Sequence, residues 1–166
     1  MENIYDVARY TILAYEKQTG TRYDNSELKL QKLMYLIQRE SFAFTGKPMF
    51  TENFEGWKHG PVIPSLRHFF EEDYRPITNE NEIKLTENDK YIINNIICQY
   101  GMYEPWYLAN LTHNEISWQK SRKGLKEGQD GNAPLNLEDI KEDAKKVRLY
   151  DHVFDMYIDE FEDYDE

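Results

Sequence analysis

The stretch LKLQKLMYLIQ, Leu28 to Gln38, decides the fold. Leu30, Leu33, Met34 and Ile37 recur at spacings of three and four, which puts them on one face of a helix. Leu28 and Leu36 widen that face, as expected of an element central to the core. Asp24 followed by Glu27 has the outline of a capping box, and Gly46 and Pro48 supply a stop. The helix is expected over roughly 25–45, with Phe44 continuing its inward face.

Outward from it, Ile4 to Lys17 reads as a helix in which Ile4, Val7 or Ala8, Thr11 and Ala14 share a side, closed by Gly20. Thr86 with Asp89 caps a helix carrying Ile92, Ile93, Ile96, Ile97 and Tyr100, and Gly101 is expected to end it in the left-handed conformation. Pro64 opens a short helix with Leu66, Phe69 and Phe70 inward, and Pro105 another with Trp106, Leu108 and Leu111. Asn136 caps a last helix bearing Ile140, Ala144 and Val147. Residues 124–134 read as a loop, and Ile83–Leu85 as a short strand paired with the Phe54–Trp57 region. The expected class is mainly α: a compact single-domain bundle of about six to seven helices with a small two-stranded β element.

A chain of 166 residues with 40% hydrophobic and 31% charged residues suits one globular domain. No apolar run approaches the ~20 residues of a membrane span. The first residues lack the order of a secretory signal, and the single Cys98 leaves no disulfide and no multi-thiolate zinc site, so the cytoplasm is the expected compartment. The net charge of −11 argues against nucleic acid as the main partner, since phosphate binding needs clustered Lys and Arg. From Asp151 onward stand eight acidic residues and no Lys or Arg, so −8 of the −11 lies in the last sixteen residues.

Reactive constellations are absent from the sequence. His59, His68, His113 and His152 show neither HxxxH nor HExxH spacing, no phosphate loop occurs, and GxSxG is missing. Cys98 stands among isoleucines, where a thiol acts as a small hydrophobe. Neither a catalytic residue, a metal site nor a cofactor is expected.

GWKHGPVIP, Gly56 to Pro64, is the least generic stretch. Gly60 before Pro61 favours a tight turn, Pro64 stiffens the approach to the next helix, and Trp57 buries a ring whose N–H needs a partner. The economical reading is a rigid corner anchored by Trp57. Lys58 and His59 project near its turn, where they would meet acidic groups.

Five stretches in order, LKLQKLMYLIQ (28–38), FAFTGKPMF (42–50), FEGWKHGPVIPSLRHFF (54–70), PWYLANLTHNEISWQKSR (105–122) and PLNLEDIKED (134–143), resemble the Panacea or SocA-like antitoxin domain, also described as phage-associated and GepA-like. The resemblance covers roughly residues 1–145 and leaves 146–166 as an acidic, aromatic C-terminal helix or tail. It carries Leu30, Gln31, Lys32, Leu33, Tyr35, Trp57, Gly60, Pro61, Pro64, Trp106, His113 and Trp118 as residues of a structural motif. Met34 and Leu36 depart from it, standing where leucine and an aromatic residue are common. It implies a non-enzymatic antitoxin of a type II toxin–antitoxin system, encoded on a prophage or similar element, that neutralises a co-encoded toxin by direct binding. The toxins associated with the family include nucleotide- or tRNA-modifying enzymes of small alarmone-synthetase type. Delivery of the toxin to a Clp protease and a phage regulatory role are the alternatives.

Within the tail, Tyr150, Phe154, Tyr157 and Phe161 are spaced four, three and four apart, which on a helix makes one aromatic stripe. Either the stripe packs onto the chain's own core, or it docks on the toxin with Asp151 and Asp155 among the acids that favour a basic partner surface.

Overall fold

Helix caps set the frame. In the computed structural model, which describes residues 1–71 and 79–161, α1 (Ile4–Thr19) starts where the Asn3 side chain accepts from the Tyr5 and Asp6 amides and ends at Gly20, φ 68°. Helix α2 (Glu27–Thr45) is capped by Ser26, whose hydroxyl accepts from the Lys29 amide at 3.2 Å, and ends at Gly46, φ 75°. The expected Asp24 cap is therefore corrected by two residues: an N-cap must directly precede the first helical residue, and Ser26 does.

Every residue from Lys29 to Gln38 is buried, so α2 is enclosed on all sides. It packs against α1, α4 (Glu87–Tyr100), α5 (Pro105–Thr112), α7 (Leu137–Ala144) and the first hairpin. Leu28 and Phe44, expected inward, are only half-buried at its two ends. Thr86 caps α4 as expected, with its hydroxyl 3.1 Å from the Asp89 amide. Short α3 (His68–Glu71) follows a 3-10 turn opened by Pro64, α6 (Ile116–Ser121) follows α5, and α8 (Ile158–Phe161) is a single turn. Six helices of six or more residues among the described residues agree with the expected mainly α, single-domain class. The Phe70 side chain and residues 162–166 lie outside the described residues.

Four expectations fail locally. Ile83–Leu85 forms no strand; β1 (Glu55–Trp57) pairs with β2 (Gly60–Val62), because Lys58 and His59 close a two-residue turn between them. Gly101 is right-handed, φ −61°, and its carbonyl is held instead by the Lys29 ammonium at 2.7 Å. Val147 lies beyond α7, which ends at Ala144. The tail is not a helix from Tyr150 to Phe161: β3 (Tyr150–Asp151) pairs with β4 (Met156–Tyr157). The Asp151 carboxylate accepts the Phe154 amide at 2.7 Å, and Asp155 takes a left-handed φ of 53°, a turn that aspartate tolerates.

No helix among the described residues is long and apolar enough to cross a membrane.

Candidate partner-binding surface

The first hairpin is held by side chains from two helices. The Gln31 amide bonds to both polar groups of the Ile63 main chain, accepting from its N–H at 2.9 Å and donating to its carbonyl at 3.1 Å. Next to it, the fully buried Lys32 ammonium donates to the Pro61 carbonyl at 2.7 Å, and burial pushes its pKa down to about 7. From α6, the Trp118 indole N–H donates to the Trp57 carbonyl at 2.7 Å. Just past that helix, the Arg122 guanidinium donates to the Gly56 carbonyl at 2.9 Å and to the Gln129 carbonyl.

Gly60 has a physical reason. Its φ is 113°, and a Cβ there would stand 2.6 Å from the Thr112 hydroxyl and 2.7 Å from Lys32 Cε. The corner motif is thus a close junction of α2, α5 and β2, with no room for a side chain.

A polar network lies behind α2. The Asp143 carboxylate accepts the Ile116 and Ser117 amides at 2.8 and 3.0 Å, capping α6, and it also contacts the Tyr35 hydroxyl at 3.0 Å. Glu115 pairs with Arg39 at 2.5 Å. Burial, then the nearby Glu115 and Asp143, hold the Tyr35 hydroxyl well above the usual phenol range. His113 stacks on Trp118 with ring centroids 4.3 Å apart, and its pKa is lowered by burial first and then by Lys32, His59 and Arg122.

Outside the hairpin, a groove of ≈ 680 Å³ has Leu28, Trp57 and Val62 along it. Its rim carries Lys58, 3.4 Å from Asp130, and Arg67, 2.9 Å from Glu27 and 5.2 Å over the Trp57 ring. His59 meets the edge of Trp106 at 4.8 Å. Trp106, an expected structural residue, is 57% exposed, beside exposed Met102, Tyr103 and Tyr107. The structure therefore brings Lys58 and His59 together with the motif residues Gln31, Lys32 and Trp57 at one groove.

The tail residues form a separate group. Tyr150 faces Tyr157 across the second hairpin at 5.7 Å, Phe154 meets Phe161 at 5.8 Å, and the Arg148 guanidinium lies 3.7 Å from the Tyr157 ring centroid. Polar contacts tie this hairpin to α4. Asp151 accepts from the Tyr91 hydroxyl, and the Asn95 side-chain oxygen accepts from the His152 amide at 2.9 Å. Phe154 is 72% exposed and Val153 63%, so the hairpin tip does not enter the core.

Sequence reasoning missed Arg67 and the burial of Arg122. The latter sits in KSRKGLK, which reads as a basic surface patch, yet its guanidinium is committed to main-chain carbonyls. Arg148, which ends the short basic stretch KKVR (145–148), is paired with Asp159 and Glu160. No group of three His, Cys, Asp or Glu among the described residues is placed to hold a metal ion.

A family model described as "Antitoxin SocA-like, Panacea domain" matches residues 30–119, more than half of the chain. Those residues include most of α2, the corner, α4, α5 and most of α6. No curated protein and no solved structure matches. With that match over the helices and the corner that they hold, the chain belongs to the SocA-like, Panacea-domain antitoxin family.

Proposed function

We propose that this chain is the antitoxin of a type II toxin–antitoxin pair and that it neutralises its toxin by direct binding, without catalysis. The C-terminal hairpin carries the reading. It presents Val153 and Phe154 to solvent beside Asp155, ahead of an acidic run with no Lys or Arg. An exposed aromatic tip amid carboxylates suits a basic protein surface. A toxin that handles ATP or RNA must present such a surface to phosphate. The internal hydrogen bonding of Gln31, Lys32, Tyr35 and Trp118 supports a structural rather than a catalytic role for the family's polar residues.

The test is co-expression with the product of the adjacent reading frame. Wild type is expected to co-purify with that product and to restore growth in cells that lack Clp proteases. Replacing both Val153 and Phe154 by serine should weaken the complex and the rescue together. Rescue that vanishes without the protease would replace blockade by delivery, and full neutralisation by the double variant at unchanged affinity would remove the hairpin from the interface.

A further inference from the structure

The groove beside Trp57 has an unusual electrostatic setting for so acidic a chain. Behind it lie Lys32 and Arg122, both buried and both bonded to main-chain carbonyls rather than to carboxylates. On its rim stand Lys58 and Arg67, with His59 alongside. Glu27 and Asp130 are the acidic residues that line it, and each sits in an exposed ion pair with a rim cation, which water and salt screen. Cations held in a poorly solvated wall act at longer range than exposed ones, Arg122 throughout and Lys32 while it is protonated, below about pH 7, so the groove favours an anionic occupant. Leu28, Trp57 and Val62 require that the occupant also bring apolar surface.

One segment of this chain has that chemistry. The tip of the second hairpin offers Val153 and Phe154 to solvent, flanked by the carboxylate of Asp155; Asp159 and Glu160, further on, are paired with Arg148. Within its own chain the hairpin is fastened to α4 through Asp151 and His152, whereas the groove is bordered by α2, the first hairpin and residues 130–132. We infer that a second copy of this chain seats its Val153–Phe154 tip in the groove beside Trp57, so that the protein alone self-associates tail into groove. A reciprocal arrangement closes as a two-fold dimer with two identical contacts. The seated tip brings Asp155 towards Lys58 and Arg67, and physiological salt screens repulsion between exposed charges beyond ~8 Å. Because the same tip is the element assigned to the toxin, self-association and toxin binding compete.

The experiment needs no toxin, so its outcome is independent of the antitoxin reading. Sedimentation of the purified full-length chain is followed from micromolar to millimolar concentration for wild type, Phe154→Ser and Lys58→Glu. Both substitutions are at accessible side chains, and circular dichroism checks that the fold is kept. Wild type is expected to dimerise with rising concentration, and each variant to weaken the dimer by tenfold or more, the scale of losing one buried aromatic anchor or reversing one rim charge. A wild type that stays monomeric at millimolar concentration overturns the inference. So does a dimer indifferent to Phe154→Ser, or one lost in Phe154→Ser but unaffected by Lys58→Glu, which would mean tip-to-tip packing.

Discussion

The Lys32 ammonium ends 2.7 Å from the carbonyl of Pro61, twenty-nine residues further along the chain. The bond ties the most enclosed helix to the second strand of the first hairpin. It also buries a cation whose pKa falls from 10.5 to about 7. Two residues in the same helix thereby give the protein an uncommon response to pH.

Glu40 is the second. It is buried, and burial raises its carboxyl to about 7. Above its unfolded pKa of 4.5 the unfolded chain ionises while the folded one does not, so stability falls from pH 4.5 to about 7. Lys32 acts oppositely: from about 7 to 10.5 the unfolded chain holds a proton that the folded chain has lost, so stability rises. Denaturant titrations across this range should find a minimum near pH 7. Glu40→Gln should flatten the acid arm alone, and Lys32→Met the alkaline arm alone. A profile with a maximum at neutral pH would contradict both assignments.

Gln31→Leu keeps the volume and removes both bonds to Ile63. It leaves a buried N–H and a buried carbonyl unpaired, at a cost of about 3 kcal/mol. The measurement is the chemical-denaturation midpoint, and a loss below about 1 kcal/mol would mean that the main chain finds other partners.

Glycine positions separate conformational strain from crowding. Gly124 has φ 89° and open space around it, so Gly124→Ala should cost only about 1 kcal/mol. Gly60→Ala adds a collision with Thr112 and Lys32 to a φ of 113°, and should cost about 3 kcal/mol or more. Equal melting temperatures for the two variants would deny the close junction.

The second hairpin should loosen without the body. Tyr91→Phe deletes the hydroxyl that Asp151 accepts, while the ring keeps its place against Phe44 at 5.8 Å. Amide exchange over 149–158 should accelerate several-fold with the melting temperature nearly unchanged. Uniform acceleration through α2 would show the hairpin to be part of the cooperative core.

Helix α2 was legible because its apolar residues repeat at helical spacing over three turns, and local capping chemistry marked most helix ends. The tail misled because a helix and this hairpin satisfy one pattern. Tyr150 and Tyr157, like Phe154 and Phe161, are seven apart, which aligns them on a helix; here Tyr150 meets Tyr157 across the hairpin, and Phe161, in α8, meets Phe154 of the turn. Trp106 faces outward because α5 buries Leu108, Ala109 and Thr112, and a residue two before Leu108 falls on the opposite side. The attachment of Gln31, Lys32, Trp118 and Arg122 to the corner depends on segments that meet only after folding, so no local rule reveals it.

The side chains that hold the first hairpin also close its borders. Along β2, the Pro61 carbonyl and both polar groups of Ile63 are taken by Lys32 and Gln31. Along β1, the Gly56 amide bonds to the Ala133 carbonyl, the Phe54 carbonyl to the Leu135 amide, and the Gly56 carbonyl to Arg122. Neither margin offers a free main-chain row on which an incoming strand can align. This miniature sheet therefore cannot recruit a ligand by strand addition or seed fibrous stacking, and whatever it meets must be recognised through side chains alone.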